Sequence, residues 1–157
     1  MEYKTNPFEN FNSGSALVNA GTKDKFNSMT ISWGSMGTIW HKNIITIYVR
    51  PERYTFSFLE KEEYFTVSFF DEKYKDNELI IMGRKSGRDI DKVKECGFHP
   101  VFLEKGITYQ EAKETFVLKK IYMQQMDKSA FPEEALRFYG ENGFPHYMII
   151  GEVVEKI

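Results

Sequence analysis

Two arginines flank a turn in the middle of the chain, and their spacing suits the binding of a phosphate group. Arg50 and Arg53 lie on either side of Pro51, which cannot continue a strand and readily opens a turn. Guanidinium groups bind phosphate through paired hydrogen bonds, and the free N–H groups at the start of a following helix favour an anion. Tyr54 and Thr55 extend this cluster. The alternative is a surface turn with two solvated arginines.

A second basic segment, residues 84–89, combines cations with a glycine and a predicted helix start. Arg84, Lys85 and Arg88 carry its positive charges, and Lys92 follows. Such a combination can hold an anion through side-chain charges and backbone N–H groups. It is also typical of an ordinary charged helix end, and the pattern alone leaves both interpretations open.

A third segment, residues 27–34, carries hydroxyl groups on one face of a predicted strand. Ser28, Thr30 and Ser32 share this face. A row of hydroxyl and backbone groups suits a flat, polar ligand, whereas the alternative is a solvated strand face. None of the three segments is specific alone, but together they favour a phosphorylated, planar ligand.

Alternation of apolar and polar residues with a period of two predicts six strands, each with one buried face. In residues 44–50, for example, Ile45, Ile47 and Val49 share one face. The predicted strands cover residues 14–20, 28–33, 44–50, 64–70, 116–125 and 147–155.

Capping and first-turn residues predict three short helices. One covers residues 53–60, and another covers residues 132–140, with a proline at its start and acidic residues in its first turn. A third follows Ser86 and Asp89, which resemble a capping box, and continues to about Cys96. Few helices and no βαβ rhythm predict a mainly β (α+β) fold, an antiparallel barrel with a few peripheral helices. No G-x-G-x-x-G fingerprint indicates a Rossmann site.

Length and composition exclude several classes of function. The 157 residues fit a single domain spanning 1–157. A net charge of −2 argues against nucleic-acid binding. The sequence contains no apolar run of about 18 residues and no signal-peptide pattern, so we expect no membrane association and a cytoplasmic location. The single cysteine, Cys96, and three scattered histidines predict no disulfide and no metal site, so redox chemistry would need a bound cofactor.

Four motifs, in this order and spacing, are more specific than any single cluster. They are N-S-M-T-I-S-W at 27–33, V-R-P-E-R-Y-T at 49–55, S-G-R-D-I-D-K at 86–92 and H-Y-M-I-I-G-E-V at 146–153. With them the chain resembles the flavin reductase-like family, which includes flavoredoxin-type proteins, from about Gly14 to Val154. The resemblance implies an antiparallel split β-barrel of the Greek-key type, FMN as the cofactor, and a homodimer with the flavin near its interface.

The resemblance also implies a role for each motif around the flavin. The first motif would line the isoalloxazine ring with Asn27, Ser28, Met29, Thr30, Ser32 and Trp33. The second would hold the ribityl chain and phosphate through Arg50, Arg53, Tyr54 and Thr55. The third would approach from another side through Ser86, Gly87, Arg88 and Lys92. His146 is a further candidate, and no catalytic residue is identified.

The implied activity is NAD(P)H-dependent reduction of bound FMN, followed by electron transfer to an acceptor. NADH and NADPH are equally open as donors, because no site for a 2′-phosphate is recognisable. The alternative is a flavoredoxin-type electron carrier that a redox partner protein reduces, with no nicotinamide activity of its own. A third interpretation is a barrel that has lost its flavin and has a structural or regulatory role.

Overall fold

The computed structural model describes residues 1–3 and 5–157, and seven of the nine strands in this part of the chain form one antiparallel sheet. The strands are β1 (Ala16–Gly21), β2 (Phe26–Ile31), β3 (Gly34–Ile39), β4 (Lys42–Val49), β5 (Tyr64–Phe69), β6 (Pro100–Leu103), β7 (Gly106–Tyr109), β8 (Glu114–Gln125) and β9 (Tyr147–Lys156). Their order in the sheet is β2-β1-β5-β8-β9-β4-β3. β6 and β7 pair as a separate hairpin.

The sheet curls because its two edge strands are consecutive in the chain. Only Ser32 and Trp33 link β2 to β3, and a link of this length spans roughly 11 Å at most. No ladder joins these two strands within the described residues, so the barrel is open along this line. Phe11 of α1 (Pro7–Asn12) packs over the opening, and a Cβ on Gly34 would lie 2.5 Å from its ring. The predicted fold class, a mainly β, antiparallel split barrel with a few peripheral helices, is confirmed.

One face of the sheet holds the main apolar core. Alternate residues of the predicted strands meet there, among them Phe65, Val67 and Phe69 of β5 and Ile45 and Ile47 of β4, all of them fully or almost fully buried. Burying each such side chain contributes roughly 1.5–3 kcal/mol. The period-two pattern therefore predicted this face correctly.

The prediction that each strand has only one buried face is wrong for β5. Thr66 and Ser68, on the opposite face, are fully buried. The β6–β7 hairpin covers them: the Thr66 hydroxyl donates to the Ile107 carbonyl oxygen, and the Ser68 hydroxyl is 3.1 Å from that of Thr108. Asn19 of β1 donates to both residues of β5, so hydrogen bonds rather than solvent satisfy the hydroxyls of this face, while Asn19 Oδ1 is buried and has no partner in the described residues.

The six predicted strands are confirmed, with shifts of a few residues at their ends. The helix predicted at 53–60 is α2 (Tyr54–Lys61). The helix predicted at 132–140 is shorter, since α5 covers only Glu133–Leu136 and Pro132 is its N-cap. The chain continues to residue 140 in turns, because the N–H groups of residues 138 and 139 bond three residues back rather than four.

The third predicted helix begins later than expected. α4 covers Lys92–Cys96, and its N-cap is Asp91, whose carboxylate accepts a hydrogen bond from the Lys94 N–H at 3.1 Å. The capping-box assignment of Ser86 and Asp89 is therefore wrong. Instead, the Ser86 carbonyl oxygen accepts from the Asp89 N–H in a turn.

Sequence reasoning did not predict α1, β3, the β6–β7 hairpin or α3 (Glu78–Arg84). These elements are short, and Asn77, the N-cap of α3, makes no side-chain capping bond. α3 matters here because it packs on β2 and its last carbonyl groups face the candidate site. No helix in the described part of the chain has the length and apolar character that a membrane span requires.

Candidate functional site

Three of the predicted segments meet where β2, α2 and the turn at residues 86–88 come together. The Asn27 side-chain amide donates to the Thr55 hydroxyl at 2.8 Å, and both residues are buried. A Cβ on Gly87 would lie 2.2 Å from Asn27 Oδ1 and 3.1 Å from Tyr54 Cδ2. A larger residue at 87 would push the turn away from β2, so the close approach requires glycine.

Arg88 links the turn at residues 86–88 to the start of α2. Its guanidinium carbon lies 4.8 Å from the centre of the Tyr54 ring, and its Nη1 donates to the Glu52 carbonyl oxygen at 3.3 Å. The Ser86 hydroxyl accepts from the Arg88 N–H at 3.2 Å. An exposed cation–π contact contributes about 0.5–1 kcal/mol. These contacts place cationic and hydroxyl groups beside the first turn of α2.

A small cavity of about 120 Å³, which we call the anion cavity, lies at this junction. It is lined by Asn27, Glu52, Arg53, Tyr54, Thr55, Arg84, Lys85, Ser86, Arg88 and Lys92. A larger cavity of about 600 Å³ shares Asn27, Tyr54, Arg88 and Lys92 with it and adds Ser28 and Gly87, among others. The combined space is in the range of cofactor pockets, roughly 300–1,000 Å³.

Two cations of the anion cavity are bound to the end of α3. Lys92 is only 5% exposed, and its Nζ donates to the Met82 carbonyl oxygen at 3.0 Å. Arg53 Nη2 donates to the Gly83 carbonyl oxygen at 2.7 Å. The last carbonyls of a helix carry partial negative charge, which attracts cations. Across residues 1–3 and 5–157, no carboxylate oxygen lies within 4.0 Å of either cation.

The pKa values of both cations are lowered, as expected for partly or fully buried charges without an ion-pair partner. Burial, and then the charge of Arg53, lowers the pKa of Lys92 to about 8. Burial also lowers the pKa of Arg53, and the charge of Glu52, which is more than 4.0 Å away, opposes this effect only in part. A lowered pKa means that the charged form is held at a cost, and a bound anion would offset that cost. The charge and size of the anion cavity therefore fit a phosphate group.

The side chains of β2 beyond Asn27 are engaged within the protein. The Ser28 hydroxyl is 2.7 Å from the Tyr109 hydroxyl of β7, the Thr30 hydroxyl donates to the Leu79 carbonyl oxygen of α3, and Met29 packs in the main core. β2 is an edge strand, however, so its outward N–H and C=O groups have no strand partner among the described residues. This strand therefore offers main-chain groups to a ligand.

Ser32 and Trp33 lie past the end of β2 and do not reach the anion cavity. They line a separate cavity of about 460 Å³ together with Phe8, Phe11 and Tyr48, among others. Trp33 is 42% exposed. The structure thus places these two predicted site residues on an aromatic wall at the split of the barrel.

Arg50 lines neither the anion cavity nor the larger cavity next to it. Its Nη2 donates to the Phe138 carbonyl oxygen at 2.6 Å, and its guanidinium lies 5.1 Å from the centre of the Tyr139 ring. Its Nη1 is 3.9 Å from Glu52 Oε1. Arg50 is therefore tied to the segment between β8 and β9.

His146 lies just before β9 and is almost buried, at 9% exposure. Its Nδ1 is 2.7 Å from the Tyr139 hydroxyl, and its ring centre is 5.1 Å from that of Trp33. Burial, and then the charges of Arg50 and Arg53, lowers the pKa of His146 to about 4. The imidazole is therefore neutral at pH 7.

Sequence reasoning missed three groups near the site: the carbonyls of Met82 and Gly83 and the hydroxyl of Tyr139. Backbone carbonyls have no residue signature of their own. Leu79 and Met82, both buried and three residues apart, carry the signal that could have predicted α3. No pattern in the sequence points to Tyr139.

Comparison with known proteins gives one family and a set of similar folds. The family model described as "Flavin reductase like domain" matches residues 8–120. No curated protein matches the chain in sequence. Among solved structures, flavoredoxin from Methanosarcina acetivorans superposes with a TM-score of 0.70 at 19% identity, over 90% of this chain and 66% of that chain.

Two further structures have the same fold. The FMN-binding protein from Thermus thermophilus with bound p-hydroxybenzaldehyde superposes with a TM-score of 0.71 at 19% identity, over 90% of this chain and 69% of that chain. A Shewanella frigidimarina protein with a split barrel domain gives 0.71 at 15% identity, over 96% of this chain and 70% of that chain. The chain thus spans about two thirds of the length of these proteins. Because the family model matches most of the 157 residues, the chain belongs to the flavin reductase-like family.

Proposed function

We propose that this chain binds FMN and acts as an NAD(P)H-dependent flavin reductase that passes electrons to an acceptor. The observation that carries the proposal is a pair of cations, the buried Lys92 and the half-buried Arg53, which face a phosphate-sized cavity and have no carboxylate oxygen within 4.0 Å in the described residues. Membership of the family supports a flavin as the ligand. The similarity to an FMN-binding protein supports FMN in particular.

The phosphate is held in the anion cavity by Arg53, Lys92 and Arg88. Ser86 and Thr55 supply hydroxyl groups there, and the first N–H groups of the eight-residue helix α2 add positive potential. Each hydrogen bond between a charged side chain and the phosphate contributes about 1.5–3 kcal/mol. Arg50 is not part of this set, since it points to Phe138 and Tyr139.

The free edge of β2 would hold the isoalloxazine ring. Main-chain N–H and C=O groups between Asn27 and Thr30 would bind its polar edge, and Gly87 allows the turn at residues 86–88 to come close to β2. When bound, FMN accepts a hydride and returns electrons singly or as a pair. Hydrogen-bond donors fixed beside the ring stabilise the negative charge of the reduced form, because they are already oriented.

Anaerobic mixing of the FMN-loaded protein with NADH or NADPH tests the reductase activity. We expect one of the two donors to remove the visible absorbance of oxidised flavin faster than it does with free FMN at the same concentration. Flavin that stays oxidised with both donors would contradict the reductase proposal and leave the electron-carrier proposal.

The second candidate is a flavoredoxin-type electron carrier reduced by a redox partner protein. The similarity in fold to a flavoredoxin favours it, and so does the lack of a Rossmann fingerprint in the sequence. A yellow protein that does not react with nicotinamides, but is reduced by a partner reductase, would establish this function.

We also propose that residues 1–157 form a single domain, that the protein is a homodimer and that it is located in the cytoplasm.

A further inference from the structure

The segment between β8 and β9 lies beyond the residues that the family model matches, and it contacts Arg50 and Trp33, two of the residues predicted for the site from the sequence. Its Lys128 donates to the carbonyl oxygens of Gly140 at 2.7 Å and Glu141 at 3.3 Å. The rings of Phe131 and Tyr139 pack with their centres 5.4 Å apart. These contacts give the segment a defined shape and fix the position of Tyr139.

A continuous set of contacts connects this segment to the aromatic wall at the split of the barrel. Arg50 donates to the Phe138 carbonyl oxygen at 2.6 Å and lies over the Tyr139 ring at 5.1 Å. The Tyr139 hydroxyl is 2.7 Å from His146 Nδ1. The Trp33 ring centre is 5.1 Å from that of His146 and 5.2 Å from that of Phe138.

We propose that Arg50 and Tyr139 are positioning residues that hold His146 as a neutral imidazole protonated at Nε2, so that Nε2–H donates a hydrogen bond to the bound flavin. This role rests on the proposed function, because it needs a flavin at the site. It also explains why Arg50 lies outside the anion cavity: Arg50 acts on the segment that carries Tyr139 rather than on the phosphate.

The 2.7 Å contact between the Tyr139 hydroxyl and His146 Nδ1 fits donation in either direction. A phenol hydroxyl is a stronger donor than the N–H of a neutral imidazole, so we assign Tyr139 as the donor, and the single imidazole proton then resides on Nε2. The charged groups that face His146 are Arg50 and Arg53, and both disfavour the imidazolium form.

The Nε2 position remains available to a ligand. No hydrogen bond to it occurs within the described residues, and it is not among the buried polar atoms that lack a partner. Nε2 therefore has a free position for a hydrogen bond in a side chain that keeps 9% of its surface exposed. Arg50 and Arg53 belong to one turn, closed by a hydrogen bond from the Arg53 N–H to the Arg50 carbonyl oxygen at 3.1 Å. Arg53 lines the anion cavity and Arg50 contacts Tyr139, so this turn connects the cavity to the residues that hold His146.

NMR of the flavin-free protein tests the positioning role without any activity assay. In the wild type, long-range ¹H–¹⁵N correlations should show His146 Nδ1 as an unprotonated nitrogen and Nε2 as a protonated one. Tyr139→Phe should bring the two nitrogen shifts towards each other, because both tautomers become populated. Tyr122→Phe, at an exposed tyrosine of β8, is the matched control and should leave His146 unchanged. A wild-type-like tautomer in Tyr139→Phe would overturn the proposal.

Addition of FMN tests the second half of the proposal. The Nε2 resonance of His146 should shift on FMN binding, while those of His41 and His99 should not. Tyr139→Phe should lower kcat for flavin reduction roughly 3- to 10-fold, with KM and FMN affinity changed by less than about twofold. If FMN binds and His146 does not respond, the proposal is wrong. If FMN does not bind at all, the proposed function fails, and the NMR comparison still decides whether Tyr139 fixes the tautomer.

Discussion

Lys92 is a buried charge that lowers the stability of the flavin-free protein. Its folded-state pKa of about 8 lies below the ordinary value of 10.5. The cost is therefore fully present below pH 8 and is relieved as the pH rises from 8 to 10.5. By linkage this cost is up to about 3 kcal/mol. A buried charge with this cost is explained most simply by a ligand that needs it.

Replacing Lys92 by methionine should weaken FMN binding without unfolding the protein. Lys92→Met keeps the length of the side chain and removes its charge, so the FMN Kd should rise about 10- to 150-fold, as expected for one charged hydrogen bond. The melting temperature at pH 7 should not fall, because the buried charge has been removed. Lys94→Met, at an exposed position of the same helix, is the control and should change neither quantity. Fluorescence titration and thermal melting measure both effects.

The affinity for FMN should depend on pH through the protonation of Lys92. A bound phosphate raises the pKa of Lys92, so the complex holds a proton that the free protein releases above pH 8. Affinity should therefore fall with rising pH above 8, by up to about tenfold per pH unit. In Lys92→Met the profile should be flat over the same range. A wild-type affinity that is constant from pH 7 to 10 would contradict this role.

At the scale of elements, the turn at residues 86–88 depends on the absence of a side chain at Gly87. Gly87→Ala would place a Cβ 2.2 Å from Asn27 Oδ1 and 3.1 Å from Tyr54. Displacement of the turn should cost about 1–3 kcal/mol of unfolding free energy and weaken FMN binding at least tenfold. Gly37→Ala is the matched control, since a Cβ there would meet nothing within 4 Å. Equal stability and affinity in the two variants, measured by urea unfolding and titration, would refute this account of the turn.

The sequence predicted elements well where a repeated pattern was long enough. The alternation in β4 and β5 identified the core face, and the proline-ended strand placed α2 correctly. The four-residue strands β6 and β7 are too short to show a period, so their cover over Thr66 and Ser68 could not be foreseen.

The same limit applies to the candidate site: positions within the motifs could be predicted, and contacts between distant segments could not. The sequence motifs implied that Asn27, Arg53 and Gly87 lie close together, because each belongs to a motif that adjacent residues of the chain define. Arg50 and Trp33 belong to the same motifs, yet lie away from the anion cavity. Their partners, Phe138 and His146, come from a segment far along the chain, and a contact across that separation has no local pattern.

At the scale of the whole molecule, exposed aromatic residues support the proposed homodimer. Phe8, Phe144, Phe138 and Trp33 are 86%, 65%, 45% and 42% exposed, and Trp33 contacts Phe138 directly. Light scattering after size exclusion should therefore give twice the 18.5 kDa mass of one chain. A monomeric mass at micromolar concentration would argue against the dimer.

Comparison of FMN with riboflavin tests the central claim most directly, because the two ligands differ only in the phosphate. If Arg53, Lys92 and Arg88 hold that phosphate, fluorescence titration should show FMN binding at least 100-fold more tightly than riboflavin, on the order of two charged hydrogen bonds. Equal affinity for the two ligands, or a colourless protein that takes up neither, would contradict the account.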